Sequence, residues 1–178
     1  MINKAIIFAT LAHEKQKRKG SDIPYILHLL EAGTIVSSMK YDEELICATL
    51  LHDTIEDAKV NYETIKVMFN EKIADLVLAQ SEDKSKSWKE RKGHTIDYLS
   101  KVEDEDILIV FLGDKLSNIR STYKDYLSIG DKVWEKFNEK DKLQHKWYYI
   151  GLVNGLSRLS KYQEYNEFKE LVYKVFGN

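Results

Sequence analysis

Apolar residues recur at three- and four-residue intervals along almost the whole chain, and a single proline, Pro24, punctuates them. That period is the amphipathic-helix signature, and long Val/Thr/Ile alternation of the kind a half-buried strand needs is nearly absent. The chain is therefore expected to be all-α, a compact bundle of roughly eight to ten helices. Residues 2–17 place Ile2, Ile6, Ala9, Ala12 and His13 on one face before Lys15 to Gly20 breaks the pattern. After Pro24-Tyr25 the period resumes over 26–39, and a short apolar helix over 43–53 opens on Glu43-Glu44, acids that a helix dipole favours. Asn61 is placed to cap the next helix, opening 65–69, and another runs through Ala79. The polar stretch 81–93 is the best loop candidate. Helices are expected over 94–101, 105–126, 131–138, 141–160 and 163–175.

Composition narrows the classes. A chain of 178 residues buries about 70% of its unfolded surface, so it needs no staple to fold, and one domain over 1–178 is the simplest division. Cys47 is the only cysteine, which excludes an internal disulfide and suits an intracellular setting. With 27 basic against 29 acidic residues the formal net charge is −2, not the basic balance of a phosphate-tracking nucleic-acid binder. The longest apolar run, Ile107 to Leu112, falls far short of the ~20 residues of a membrane span. The Met1-Ile2-Asn3-Lys4 start has no secretory pattern. A cytoplasmic protein without nucleic-acid or membrane partners is expected.

Chemistry concentrates in a few polar residues set among apolar ones. His52-Asp53 ends an apolar helix, and Glu56 and Asp57 follow at i+4, so that on a continued helical turn all four share one side. Three carboxylates held together call for a cation or protons; the alternative is a solvated helix end. Asp114 interrupts Ile107-Leu108-Ile109-Val110-Phe111-Leu112-Gly113. Burying it unpaired costs several kcal/mol, so it either pairs with Lys115 or Arg120 or ligates a metal. With His28, near the start of another apolar helix, His52, Asp53 and Asp114 make a mixed nitrogen and oxygen set suited to Mn²⁺, Fe²⁺ or Zn²⁺ rather than Ca²⁺.

The order His28, His52-Asp53, Asp114 resembles the HD superfamily of metal-dependent phosphohydrolases, which are helical domains. Arg18-Lys19-Gly20, Pro24-Tyr25-Ile26-Leu27-His28, His52-Asp53-Thr54-Ile55-Glu56-Asp57, Asp83-Lys84, Glu90-Arg91-Lys92 and Asp114-Lys115-Leu116-Ser117-Asn118 resemble, more closely, the hydrolase domain of RelA/SpoT alarmone enzymes and the stand-alone small alarmone hydrolases. This likeness spans about residues 5–125. It implies a Mn²⁺-dependent hydrolase that removes pyrophosphate from the 3′ position of (p)ppGpp, giving GDP or GTP, with no room left for alarmone synthesis. His28, His52, Asp53 and Asp114 would hold the metal. Glu56 and Asp57 would orient the attacking water, with Glu56 the first choice of general base.

By the same resemblance Arg18 would stack on guanine, Lys19 would line the base pocket, and Asn118 would bond the ribose or its phosphate. Lys84, Arg91 and Lys92 would offer cations to the diphosphates. Arg18 and Lys19 also read as a solvated helix end, Asn118 as an exposed helix residue, and the loop cations as ordinary surface charge. His13, His94 and His145 read as structural or surface residues. Trp147-Tyr148-Tyr149 reads as packing, with a tyrosine in reach of the pocket as the alternative. Leu29, Thr54 and Ser81-Glu82 depart from the family pattern without touching an expected ligand. Two other functions stay open: an HD phosphohydrolase acting on another nucleotide, and a nucleotide sensor without turnover.

Overall fold

The computed structural model describes residues 1–177. Among them are ten α-helices, two 3-10 segments and no strand, only an isolated antiparallel bridge between Lys17 and Pro24. The helices are α1 (Ile2–Ala12), α2 (Ile26–Met39), α3 (Glu43–Leu51), α4 (Thr54–Ala58), α5 (Tyr62–Met68), α6 (Glu71–Gln80), α7 (Trp88–Lys101), α8 (Glu105–Ile129), α9 (Lys142–Gly155) and α10 (Gln163–Phe176). Gly130–Lys136 and Ser157–Leu159 are the 3-10 segments.

Most starts are set by side chains that satisfy the first free N–H groups. The Asp42 carboxylate accepts from the Glu44 and Leu45 amides at the head of α3, Asn61 caps α5, Asn70 caps α6 and Asp104 caps α8. Helix α7 opens on a capping box in which Ser87 and Glu90 cap each other's backbone. That box makes 88–93 helical, so the segment expected to be a loop over 81–93 is a loop only through 87. Helix α1 stops at Ala12, five residues before the expected end, because the chain turns into a tight excursion closed by Arg18 N–H to Ile23 O (2.9 Å) and Tyr25 N–H to Gln16 O (3.0 Å). Gly20 turns that excursion at φ +72°, a region L side chains avoid. Helix α8 runs on to Ile129, past the expected 126. The expected helices over 131–138 and 141–160 become a 3-10 segment and α9 with its own 3-10 tail.

Helix α8 is the axis of the bundle, packed along α2 on one side and α10 on the other. It buries Leu108, Ile109, Val110, Phe111, Leu112, Leu116 and Ile119. The approach of α2 to α8 is close at Gly113, where a Cβ would stand 2.6 Å from Val36 Cγ2 and 3.2 Å from the Ala32 carbonyl oxygen. This contact holds His28 on α2 opposite Asp114 on α8.

Candidate metal centre and its cavity

Helix α3 ends at Leu51, and His52 and Asp53 lie in the turn before α4 rather than on one continuous helix. The i+4 relation survives the break, because Asp57 N–H bonds Asp53 O at 2.8 Å, and Thr54 Oγ1 donates to Leu51 O at 2.6 Å. The turn aims His52 at His28 and Asp114. One ligand atom each from His28, His52 and Asp114 lies within 4.8 Å of the others, and all three residues are buried.

The outer nitrogens fix both imidazoles. His52 Nδ1 lies 2.7 Å from Thr49 O, a carbonyl that only accepts, so Nδ1 carries the proton. His28 Nδ1 lies 2.8 Å from Ser117 Oγ. The two Nε2 atoms face inward, buried and without a hydrogen-bond partner. His28 Nε2 is 3.2 Å from Asp114 Oδ1 and His52 Nε2 is 2.9 Å from Asp53 Oδ2. Buried ring nitrogens without a hydrogen-bond partner, set beside carboxylates, are the donor set a divalent transition ion takes, and imidazoles oriented through their other nitrogen are how such sites are built. The residues present therefore fit a bound metal.

Asp53 stands slightly apart. Its Oδ2 is 3.9 Å from His28 Nε2, it is not in the mutual 4.8 Å set, and it accepts a 2.6 Å hydrogen bond from Tyr25 Oη. Burial, reinforced by Asp53, pushes the Tyr25 phenol far above its usual range and keeps it a donor. Burial lowers the His28 pKa. For His52 burial also lowers it, but Asp53 and Asp114 outweigh that and raise it well above the usual value. Asp114 would be raised by burial, yet Lys115 and the two imidazoles hold it well below. The Lys115 ion pair (2.6 Å) and the metal-site position were alternatives for Asp114, and both are present.

A cavity of about 1070 Å³ opens beside this cluster, lined by every residue expected at the site except the deeply buried His52. Glu56 reaches it from α4 with Oε2 held by the Glu82 backbone N–H at 3.1 Å. Burial raises its pKa, and the nearby Glu82, Asp53 and Asp57 add to that. Asp57 is paired with Lys84 and accepts from Gln16 Nε2 at 3.4 Å. The expected phosphate cations are already engaged: Lys84 with Asp57, Arg91 with Glu82 at 2.7 Å and Lys92 with Glu82 at 2.8 Å. Arg18 bonds Asn118 Oδ1 at 2.9 Å, and Asn118 Nδ2 in turn bonds Asp114 Oδ1 at 2.5 Å. Arg18 also lies over the Tyr25 ring, at 5.8 Å, and Lys19 stands exposed on the lining.

Sequence reasoning missed Tyr25, Thr49, Ser117 and Glu82 as site residues. Tyr25 and Ser117 lie inside the motifs that carry the resemblance and Glu82 is one of the departures from it; Ser117 has a readable signal, three residues after Asp114 on one helix face. His13 and His145 are buried, the latter stacked on Trp134 at 4.9 Å and on the cavity lining. His94 is exposed. Tyr148 and Tyr149 pack into the core and both line the cavity.

Helical architecture, the paired imidazoles and the His-Asp doublet agree with the family comparison: residues 5–143 match the HD domain model, and the chain belongs to that family. It is 34% identical over 124 residues to the guanosine-3′,5′-bis(diphosphate) 3′-pyrophosphohydrolase of Aquifex aeolicus, covering 68% of this chain and 18% of that protein. The chain thus spans less than a fifth of the length of the curated relatives it matches. A solved Listeria monocytogenes protein superposes with TM-score 0.78 at 32% identity, over 85% of this chain and 99% of that one. A solved metazoan ortholog of SpoT shares the fold at TM-score 0.84 and 23% identity, over 99% and 96%. No helix among the described residues is long and apolar enough to cross a membrane.

Proposed function

We propose that this chain is a Mn²⁺-dependent hydrolase that removes pyrophosphate from the 3′ position of (p)ppGpp, leaving GDP or GTP. The observation that carries the reading is the pair of buried, unpartnered Nε2 atoms facing Asp114, at the edge of a cavity whose wall holds Glu56. The Aquifex relative carries that activity in its name, which supports the substrate class.

His28, His52 and Asp114, with Asp53 completing the set, would hold the ion. When bound it supplies Lewis acidity toward a phosphoryl oxygen and lowers the pKa of water. In hydrolysis water oxygen adds to the phosphorus attached to O3′, that P–O3′ bond breaks, and O3′ takes a proton. Glu56 receives the proton of the attacking water; burial raises its pKa, the direction that makes a carboxylate a stronger base. Asp57, held by Lys84 and Gln16, orients that water. Tyr25 fixes Asp53, and Asn118 fixes Asp114 while presenting Arg18 to the base. Lys84, Arg91 and Lys92 reach the diphosphates by exchanging their carboxylate partners for phosphoryl oxygens.

The test is incubation of the purified chain with Mn²⁺ and a panel of guanine nucleotides, with products identified by mass. GDP and pyrophosphate from ppGpp are expected. Cleavage of deoxynucleoside monophosphates or nucleoside triphosphates with ppGpp left intact would replace this substrate, and binding without turnover would make the chain a sensor.

A further inference from the structure

Behind His28 runs a continuous chain of side chains that ends on the last helix. His28 Nδ1 meets Ser117 Oγ at 2.8 Å, and Ser117 Oγ donates to Glu31 Oε2 at 2.8 Å. Arg120 Nη1 donates to Glu31 Oε1 at 3.2 Å, and the same guanidinium grips Glu167 on α10 through Nε (2.6 Å) and Nη2 (2.7 Å). His28 and Glu31 are one turn apart on α2; Asp114 and Ser117 are one turn apart on α8. The two i,i+3 pairs face each other across the helix contact, so Ser117 holds the His28 imidazole at Nδ1 while Asp114 faces its Nε2.

The chain has one direction. A carboxylate accepts only, so the single hydroxyl proton of Ser117 goes to Glu31, and Ser117 Oγ is left to accept from His28. Nδ1 must therefore carry the imidazole proton, and Nε2 presents a lone pair toward Asp114. From this geometry we infer that Ser117 and Glu31, braced by Arg120 and Glu167, are positioning residues that lock His28 in its metal-binding tautomer and tie α10 to the site. Helix α10 lies beyond residues 5–143, the part that matches the HD domain. The inference rests on the reading of His28 as a metal ligand.

Stability alone does not account for the three charged members of this chain. The side chains of Glu31, Arg120 and Glu167 are 40%, 35% and 39% exposed, and exposed ion pairs contribute little to stability. Removing such a partner of a ligating histidine instead lowers metal affinity about 10- to 100-fold.

The test measures Mn²⁺ affinity by calorimetry on the whole chain, together with a long-range ¹H–¹⁵N spectrum of the metal-free protein reporting which His28 nitrogen holds the proton. Ser117→Ala and Glu31→Ala are expected to weaken Mn²⁺ binding about 10- to 100-fold and to mix the His28 tautomers, and Glu31→Ala, at a partly exposed side chain, to do so with melting temperature little changed. Glu31→Gln, which still accepts from Ser117, should restore the tautomer, and Glu167→Ala should weaken binding less than Glu31→Ala. His28→Ala separates the two readings. If it binds Mn²⁺ as the parent does, the ligand assignment fails. If it loses Mn²⁺ while Ser117→Ala and Glu31→Ala keep parental affinity and a pure Nδ1–H tautomer, the positioning inference is overturned.

Discussion

Gly113→Ala probes the helix contact that sets the metal site. The added Cβ would stand 2.6 Å from Val36 Cγ2 and 3.2 Å from the Ala32 carbonyl oxygen. Val36 is β-branched in a helix, so its χ1 has essentially one well, and the Ala32 oxygen is backbone; neither yields cheaply. Overpacking of this kind costs about 1–3 kcal/mol, and a clash with two stiff neighbours belongs at the upper end. Replacing a helical glycine with alanine returns about 1 kcal/mol. The net is a loss of about 2 kcal/mol, which for a chain of this size lowers the melting temperature by about 4–8 °C. Because relief requires α8 to move off α2, Asp114 is carried away from His28, now 3.2 Å apart, and Mn²⁺ affinity should fall as well. Gly93→Ala is the matched control: it sits inside α7 with only Trp147 Cη2 nearby, at 3.8 Å, and should stabilise by about 0.5–1 kcal/mol. The assay is thermal unfolding of both variants with and without Mn²⁺, plus calorimetric titration. A Gly113→Ala protein that melts at or above the parent and binds Mn²⁺ equally well refutes the reasoning.

Three further outcomes are expected. Glu56→Gln should lower kcat about 10²–10⁴-fold in the ppGpp assay while Mn²⁺ content stays constant. It should also raise the melting temperature at neutral pH: a carboxyl whose folded pKa is raised by burial costs stability as pH climbs from its unfolded to its folded pKa, a cost the neutral amide avoids, so the variant's advantage should vanish below the ordinary carboxylate range. A gap between parent and variant that does not close on acidification counts against the buried-base assignment. Tyr25→Phe removes a 2.6 Å donor from Asp53; a hydrogen bond to a charged group contributes about 1.5–3 kcal/mol, so Mn²⁺ affinity should drop about tenfold or more by titration. Ser87→Ala breaks the α7 capping box and should cost about 1 kcal/mol, about 2–4 °C in a thermal melt, with the metal site untouched.

The 3.6-residue period was enough to read α2 at its true bounds, because Pro24 fences its start and a single apolar face runs through Leu29, Gly33 and Val36. It was not enough for α7, where Trp88-Lys89-Glu90-Arg91-Lys92 has no apolar stripe; there the Ser87 and Glu90 spacing was the available signal and charge density masked it. The metal candidates were legible because a histidine or carboxylate in an apolar run needs a partner. What composition hides is pairing. Arg91 and Lys92 read as two free cations along the chain, yet both close on Glu82, and no pattern announces that Thr49 gives its carbonyl, rather than its side chain, to His52. The end of α3 was legible to within two residues, at His52-Asp53, whereas the short α4 that follows was hidden.

The excursion between α1 and α2 carries Arg18 near one end and Tyr25 at the other, and is closed across by the Arg18–Ile23 and Tyr25–Gln16 backbone bonds of 2.9 and 3.0 Å. On the proposed reading, a purine pressing on the guanidinium loads the same small lever that sets the phenol against Asp53. Recognition and readiness are then mechanically one event: a polyphosphate stripped of its base would still be captured, but turned over slowly, so selectivity would be expressed in the rate rather than in occupancy.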